Sequence, residues 1–236
     1  GTGSEATPIS IITIAGDEKR GVVSPIILPD LAILDPELTI GLPPQITATT
    51  GIDAMVHSIE SFSSANANNN FLSRNLAIES LKLLGRSINV AVSDGSNIEA
   101  RGAMLLGSML AGMAFANSPV GAVHALAYPI GGSFHIAHGL SNSLVLPKVL
   151  EFNSINTKAA EAYSLLAPIV FPNKEHSGEP GEVALRFSES LRQLAEEIGL
   201  PTRLRDLRIP QEACRTMATD AMKQTRLLVN NPREVT

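Results

Sequence analysis

Asp53 and His57 stand four residues apart in Gly51-Ile52-Asp53-Ala54-Met55-Val56-His57, a spacing that could do chemistry. On a helix, positions i and i+4 project from one face a turn apart. A carboxylate oxygen and an imidazole nitrogen so placed can both reach one cation at about 2.0–2.2 Å. The same pair also suits a surface Asp–His contact or a helix cap, so alone it leaves the chemistry open.

His124 and His138 sharpen the question. They lie fourteen residues apart, in a stretch between Arg101 and Lys148 that holds no Asp, Glu, Lys or Arg. Neutral imidazoles without a countercharge need partners when buried, and a metal ion accepts their lone pairs. Gly131-Gly132 lets the chain bend back, so that His124 and His138 can approach one point from different helices. His135, three residues before His138, is placed to border the same point. His176 falls in the polar loop Pro172–Gly178 and reads as solvated. Cys214 reads as a small buried hydrophobe on a late helix.

The elements that must carry these groups are mostly helical. Pro8–Ile14 is β-branched and partly alternating, Gly16–Gly21 supplies a polar turn, and Ile26–Leu28 and Leu31–Leu34 read as further strands. From Asp35-Pro36 onward the period changes, and Pro43-Pro44 opens a helix expected to about Ser63, with Ile46, Ile52, Val56 and Ile59 on one stripe. Further helices are expected near Leu72–Val90, Ile98–Ala116, Gly121–Ile130, Ala137–Phe152, Lys158–Leu166, Pro180–Ile198 and Pro210–Val229. Breakers fall between them, among them Gly95, Pro119 and Gly199-Leu200-Pro201. The chain thus divides into a strand-rich segment at 1–40 and a helical domain at 41–236.

Composition narrows the class of protein. The 236 residues are 44% hydrophobic, with a formal charge of −5 and a pI near 5.6, ample for a packed core. No Lys/Arg cluster offers a grip on nucleic acid. The single cysteine excludes an internal disulfide framework and fits a reducing, cytoplasmic setting. The apolar run Ala103–Ala116 is interrupted downstream by Asn117, Pro119, Gly121 and His124, short of the roughly 20 apolar residues of a membrane span. A helix buried on all sides in a soluble core is the expectation there, with no membrane partner. The chain opens on Gly1-Thr2-Gly3-Ser4-Glu5, without a basic or apolar leader, and closes on Asn231-Pro232-Arg233-Glu234-Val235-Thr236. It reads as a fragment of a longer protein.

Several long motifs, in order along the chain, carry a resemblance. Gly1-Thr2-Gly3-Ser4-Glu5, Gly51–Glu60 (Gly-Ile-Asp-Ala-Met-Val-His-Ser-Ile-Glu), Gly121–Ala127 (Gly-Ala-Val-His-Ala-Leu-Ala), His138-Gly139 and Asn231-Pro232-Arg233-Glu234 are together similar to the iron-containing alcohol dehydrogenase family. The resemblance implies an all-helical, dehydroquinate-synthase-like C-terminal domain that binds metal. Residues 1–40 would then be a short β remnant of the family's N-terminal nucleotide-binding α/β domain. It implies one divalent metal held by Asp53, His57, His124 and His138, Fe2+ by family and Zn2+ by ligand chemistry. It further implies NAD or NADP as hydride carrier, with Thr2 as the nucleotide contact remaining in this chain, and Phe115 lining the substrate cleft. Tyr128 stands where some relatives place a further His, so proton relay would fall to a phenol of ordinary pKa about 10.

One carboxylate and three neutral imidazoles leave a divalent ion near +1 with an open position, the arrangement of a catalytic site. The implied reaction interconverts a primary alcohol or diol with its aldehyde, by hydride transfer to or from NAD(P). The fragment alone is expected to turn over negligibly, and the whole enzyme to be a homo-oligomer. Polyol dehydrogenases of the glycerol type and a sugar-phosphate cyclase share the architecture, although His57 four residues after Asp53 favours the alcohol branch. A helical scaffold with incidental histidines is the alternative of another class.

Overall fold

The computed structural model describes residues 1–13 and 19–236. Strand β1 (Ile9–Thr13) pairs antiparallel with β2 (Lys19–Val23), Ile9 opposite Val23 and Ile11 opposite Gly21. The polar turn expected at Gly16–Gly21 falls partly outside the described residues, and Lys19–Gly21 belong to β2 instead. The strands expected at Ile26–Leu28 and Leu31–Leu34 do not form. Pro25–Ile27 is one 3-10 turn, started by the Ser24 side chain, and residues 31–35 follow an irregular path. A β-branched run becomes a strand only beside a partner edge, and among the described residues β1 and β2 pair only with each other.

The rest is helical, in the order α1 (Pro44–Ser63), α2 (Phe71–Ser93), α3 (Ile98–Asn117), α4 (Ala122–Phe134), α5 (His138–Asn153), α6 (Thr157–Val170), α7 (Pro180–Glu197), α8 (Ala213–Ala221) and α9 (Thr225–Leu228). Local chemistry sets the boundaries. Pro44 occupies the first position of α1, where its missing N–H costs nothing. Asn70, Asn97 and Asn156 cap α2, α3 and α6 with their side-chain oxygens.

Helices α1, α2 and α3 pack against one another; α5 packs on α1, α4 and α7 pack on α5, and α6 packs on α7 and α2. Helix α1 is therefore central: every residue from Thr47 to Phe62 except Thr50 is buried. Its polar positions are matched on the neighbouring helices, Ser58 donating to Ser80 of α2 at 2.7 Å and Ser80 to the Gly107 carbonyl of α3 at 2.7 Å.

The helix expected to be buried all round is α3, and this expectation is corrected. Its core stripe is Ala100, Met104, Gly107, Ser108, Ala111 and Ala114, while Leu106 and Met113 face outward. By length and composition alone α3 could cross a membrane; here it buries Arg101 in its first turn, bonded to Thr47 and to the Gly95 carbonyl. The helix expected over Pro210–Val229 is broken into α8 and α9. The chain turns at Met222–Gln224 so that Asn230 and Asn231 enter the core, where they bond Val120 and Asn153.

Candidate metal centre

Three helices meet at one point. Asp53 comes from the middle of α1, His124 from the first turn of α4 and His138 from the first position of α5. Their ligand atoms lie within 4.8 Å of one another. Asp53 is 2% and His124 3% exposed, whereas the His138 side chain is 42% exposed, so the cluster opens to solvent on one side.

The approach of α5 to α1 depends on Gly139. A Cβ there would overlap the Thr49 carbonyl oxygen and crowd the Asp53 side chain. With only hydrogen present, the start of α5 seats against α1, and His138 Nε2 comes to 3.8 Å from Asp53 Oδ1. His135 makes the turn just before, in left-handed conformation at φ 54°, so the chain leaves α4 and enters α5 directly. Its side chain is exposed and its place in the fold is this bend.

Asn142, four residues after His138 on α5, sits at the focus. Its amide nitrogen donates to Asp53 Oδ1 at 2.5 Å and lies 3.3 Å from both His124 Nε2 and His138 Nε2. An amide nitrogen has two protons, and three acceptor positions surround it. Asn142 Oδ1 is buried without a partner. A donor set of one carboxylate and two imidazole nitrogens, richer in lone pairs than in protons, fits a divalent cation.

His57 is buried beside this group but outside it. Its ring stacks on His124 at 4.9 Å and on Phe115 at 4.4 Å between centroids. It hydrogen-bonds to the Thr2 backbone, and its Nδ1 is buried without a partner. The structure thus brings together three of the four ligands expected from the resemblance and holds the fourth one ring-stack away. Thr2 reaches His57 because Gly3, at φ +82°, and Gly112 let the N-terminal segment lie on α3 without a Cβ between them. Tyr128 lies 6.0 Å from His138, ring to ring.

Electrostatics follow the burial. Burial works to raise the Asp53 carboxyl, but His57, His138, His124 and the Asn142 amide outweigh it and hold it below the usual carboxylate range. Burial pushes the His57 imidazole down to about 3, against the pull of Asp53. Burial would lower His124 too, yet the Glu60 carboxylate bonded to it raises it. Burial, with help from Glu60, pushes the Tyr128 phenol up, away from neutral pH.

Two residues of the cluster were not singled out from the sequence. Glu60 accepts from the Val123 N–H at 2.8 Å and meets His124 Nδ1 at 2.6 Å. The signal was its place three residues after His57, on the same face of α1. Asn142 had the matching signal, four residues after His138. Elsewhere, His176 is half-buried with Nε2 at 2.7 Å from the Phe171 carbonyl oxygen, rather than solvated. Cys214 is exposed on α8, which corrects the expectation of a buried thiol.

Known proteins match along the whole chain. It is 41% identical over 234 residues to long-chain-alcohol dehydrogenase 1 of Geobacillus thermodenitrificans, covering 98% of this chain and 57% of that one. It is 38% identical over 236 residues to sulfoacetaldehyde reductase of Bilophila wadsworthia, covering 99% of this chain and 60% of the relative. The solved structure of an alcohol dehydrogenase from Oenococcus oeni superposes with a TM-score of 0.93 at 34% identity, over 100% of this chain and 60% of that one. The chain therefore spans about three fifths of the length of these relatives. Residues 47–236 match the C-terminal model of the Fe-containing alcohol dehydrogenase family, and the chain belongs to that family.

Proposed function

We propose that this chain carries the metal-binding part of a nicotinamide-dependent alcohol dehydrogenase, which interconverts a primary alcohol or diol and its aldehyde. The observation that carries the reading is the convergence of Asp53, His124 and His138 from three helices onto a point with one open side. Those three residues would hold the ion, with His57, buried against His124, as the fourth ligand. Fe2+ is the ion by family. A divalent cation bound there supplies Lewis-acid polarisation of an alcohol or aldehyde oxygen.

The chain's own groups fit that use. The exposed edge at His138 is the side from which a small substrate enters. Phe115, stacked on His57, offers an apolar wall beside it. Tyr128, its phenol raised by burial, stays protonated at neutral pH and so donates a hydrogen bond rather than acting as a base. We assign residues 1–40 to the nucleotide-binding domain of the whole enzyme, with Thr2 on the nicotinamide side and the helical domain running from 41 to 236. The many exposed apolar side chains between Val22 and Leu42 support this division.

Elemental analysis tests the reading. The chain loaded with Fe2+ or Zn2+ and freed of excess should hold about one ion per chain, and Asp53→Ala or His138→Ala should hold close to none. Unchanged stoichiometry in both variants overturns the metal centre and leaves a helical scaffold. In the full-length enzyme the same variants should lose NAD(P)-linked alcohol oxidation.

A further inference from the structure

We propose that Glu60 is a positioning residue that orients His124, holding its imidazole so that Nε2 faces Asp53 and His138. The inference rests on the metal-centre reading above and names a residue of that site which touches no ligand position itself.

The geometry is specific. Glu60 lies seven residues after Asp53 on α1, so both side chains leave the same face two turns apart. Its carboxylate binds two neighbouring residues at once: one oxygen takes the Val123 N–H at 2.8 Å, the other meets His124 Nδ1 at 2.6 Å. The backbone and the ring of one helical turn are thus fixed to the same group. A carboxylate accepts and does not donate, so Nδ1 must carry the proton and Nε2 of the neutral ring keeps its lone pair. That lone pair points toward the focus occupied by the Asn142 amide. Glu60 is 7% exposed and His124 3%, so water does not compete for either contact. Carboxylates that hold the far nitrogen of a metal-binding imidazole are a general device for setting its tautomer and rotation.

A simpler role must be separated from this one. Gly121 precedes α4 and offers no side-chain cap, so Glu60 also serves the free N–H of Val123, as Asn231 does for Ala122 at 3.4 Å. Capping alone requires one oxygen; the contact to His124 uses the second.

Glu60→Gln tells them apart. It keeps size and shape but leaves one acceptor for two donors, so one of Val123 N–H and His124 Nδ1–H loses its partner. Asn231→Ala is the capping control, because it weakens the start of α4 without touching His124. Co2+ affinity is measured by equilibrium dialysis, the Co2+ visible absorption spectrum is recorded, and Tm is taken in chelator. We expect E60Q to bind Co2+ roughly 10–100-fold more weakly, with an altered spectrum. Asn231→Ala should lower the metal-free Tm and leave affinity and spectrum unchanged. A folded E60Q with wild-type affinity and spectrum overturns the proposal and leaves Glu60 as a cap. Should E60Q fail to fold, Glu60→Asp, which keeps both acceptors but withdraws them, decides on the same readouts: a severalfold weaker affinity with a changed spectrum supports orientation, and wild-type values overturn it. A wild-type chain that binds no Co2+ removes the metal centre, and the role of Glu60 with it; wild-type binding that ignores Glu60 removes the positioning role alone.

Discussion

His57 shows how much a single buried side chain can report. An ordinary imidazole titrates near 6.5, and burial holds that of His57 at about 3 in the folded chain. Between those values the unfolded chain binds a proton that the folded chain refuses. The contribution of His57 to stability is therefore complete above pH 6.5 and is lost as pH falls toward 3. His124 has the opposite sign: with its pKa raised by Glu60, its contribution is complete below pH 6.5 and fades as pH rises through the folded value. Asp53, held low, loses its contribution only as pH falls below about 3.9. Near pH 5 both His124 and Asp53 carry the same charge folded and unfolded, so of the three only His57 sets a slope, about 1.4 kcal/mol per pH unit for one proton. Urea unfolding in chelator at pH 5.0, 5.5 and 6.0 should give His57→Gln a slope shallower by about that amount. Equal slopes would mean that the folded chain lets this imidazole charge freely. The i, i+4 pair of Asp53 and His57 was legible from the sequence; the stacking of His57 on Phe115 and His124 was not, because no spacing rule relates α1 to the residues of α3 and α4 that form the wall.

The helix as a unit was easier to read than the side it buries. Pro44 at the start and a polar loop after Ser63 marked α1 within a residue. Its burial from Thr47 to Phe62 was hidden, because Thr47, Asp53, Ser58 and Glu60 look solvent-bound until Arg101, Asn142, Ser80 and His124 on other helices take up their hydrogen bonds. The apolar run of α3 misled in the reverse direction: small residues there mark one tight face, not burial all round. Close contact between elements also turns on single glycines. Gly139→Ala would drive a methyl group into the Thr49 carbonyl oxygen and toward the Asp53 side chain. Overpacking of this kind costs about 1–3 kcal/mol, or roughly 2–4 °C per kcal/mol in Tm for a chain of this size. Thermal unfolding should therefore show a fall of about 2–12 °C, together with weaker metal binding as α5 lifts His138 away from α1. Gly132→Ala is the control, since a Cβ there meets nothing within 4 Å; its Tm should hold or rise slightly. A neutral Gly139→Ala would show that α5 can slide without cost and that this contact does not set the cluster.

At the scale of the whole molecule, the helical core and the segment before it obey different rules. Helices α1–α7 bury a continuous apolar cluster that runs from Ala48 to Leu200. By contrast Ile26, Leu31, Ile33 and Leu38 are 91%, 75%, 80% and 82% exposed. Ile26, Leu31 and Ile33 read as strand residues in the sequence because they are apolar and β-branched or leucine, but their exposure depends on what packs beside them, which composition does not encode. Exposed apolar side chains gathered in one short stretch drive association in water, each contributing about 25 cal/mol per Å2 of apolar surface removed. Sedimentation velocity on the 236-residue chain should therefore show association that grows with concentration across the micromolar range. The combined variant Ile26→Ser, Leu31→Ser, Ile33→Ser and Leu38→Ser should sediment closer to the monomer with an unchanged helical circular dichroism spectrum, because none of the four side chains belongs to the buried cluster. Association that survives the four substitutions would assign the adhesive surface elsewhere, with the outward face of α3 at Leu106 and Met113 as the next place to substitute. A loss of helix in the variant would mean that this segment supports the core after all, and that the division near residue 40 is misplaced.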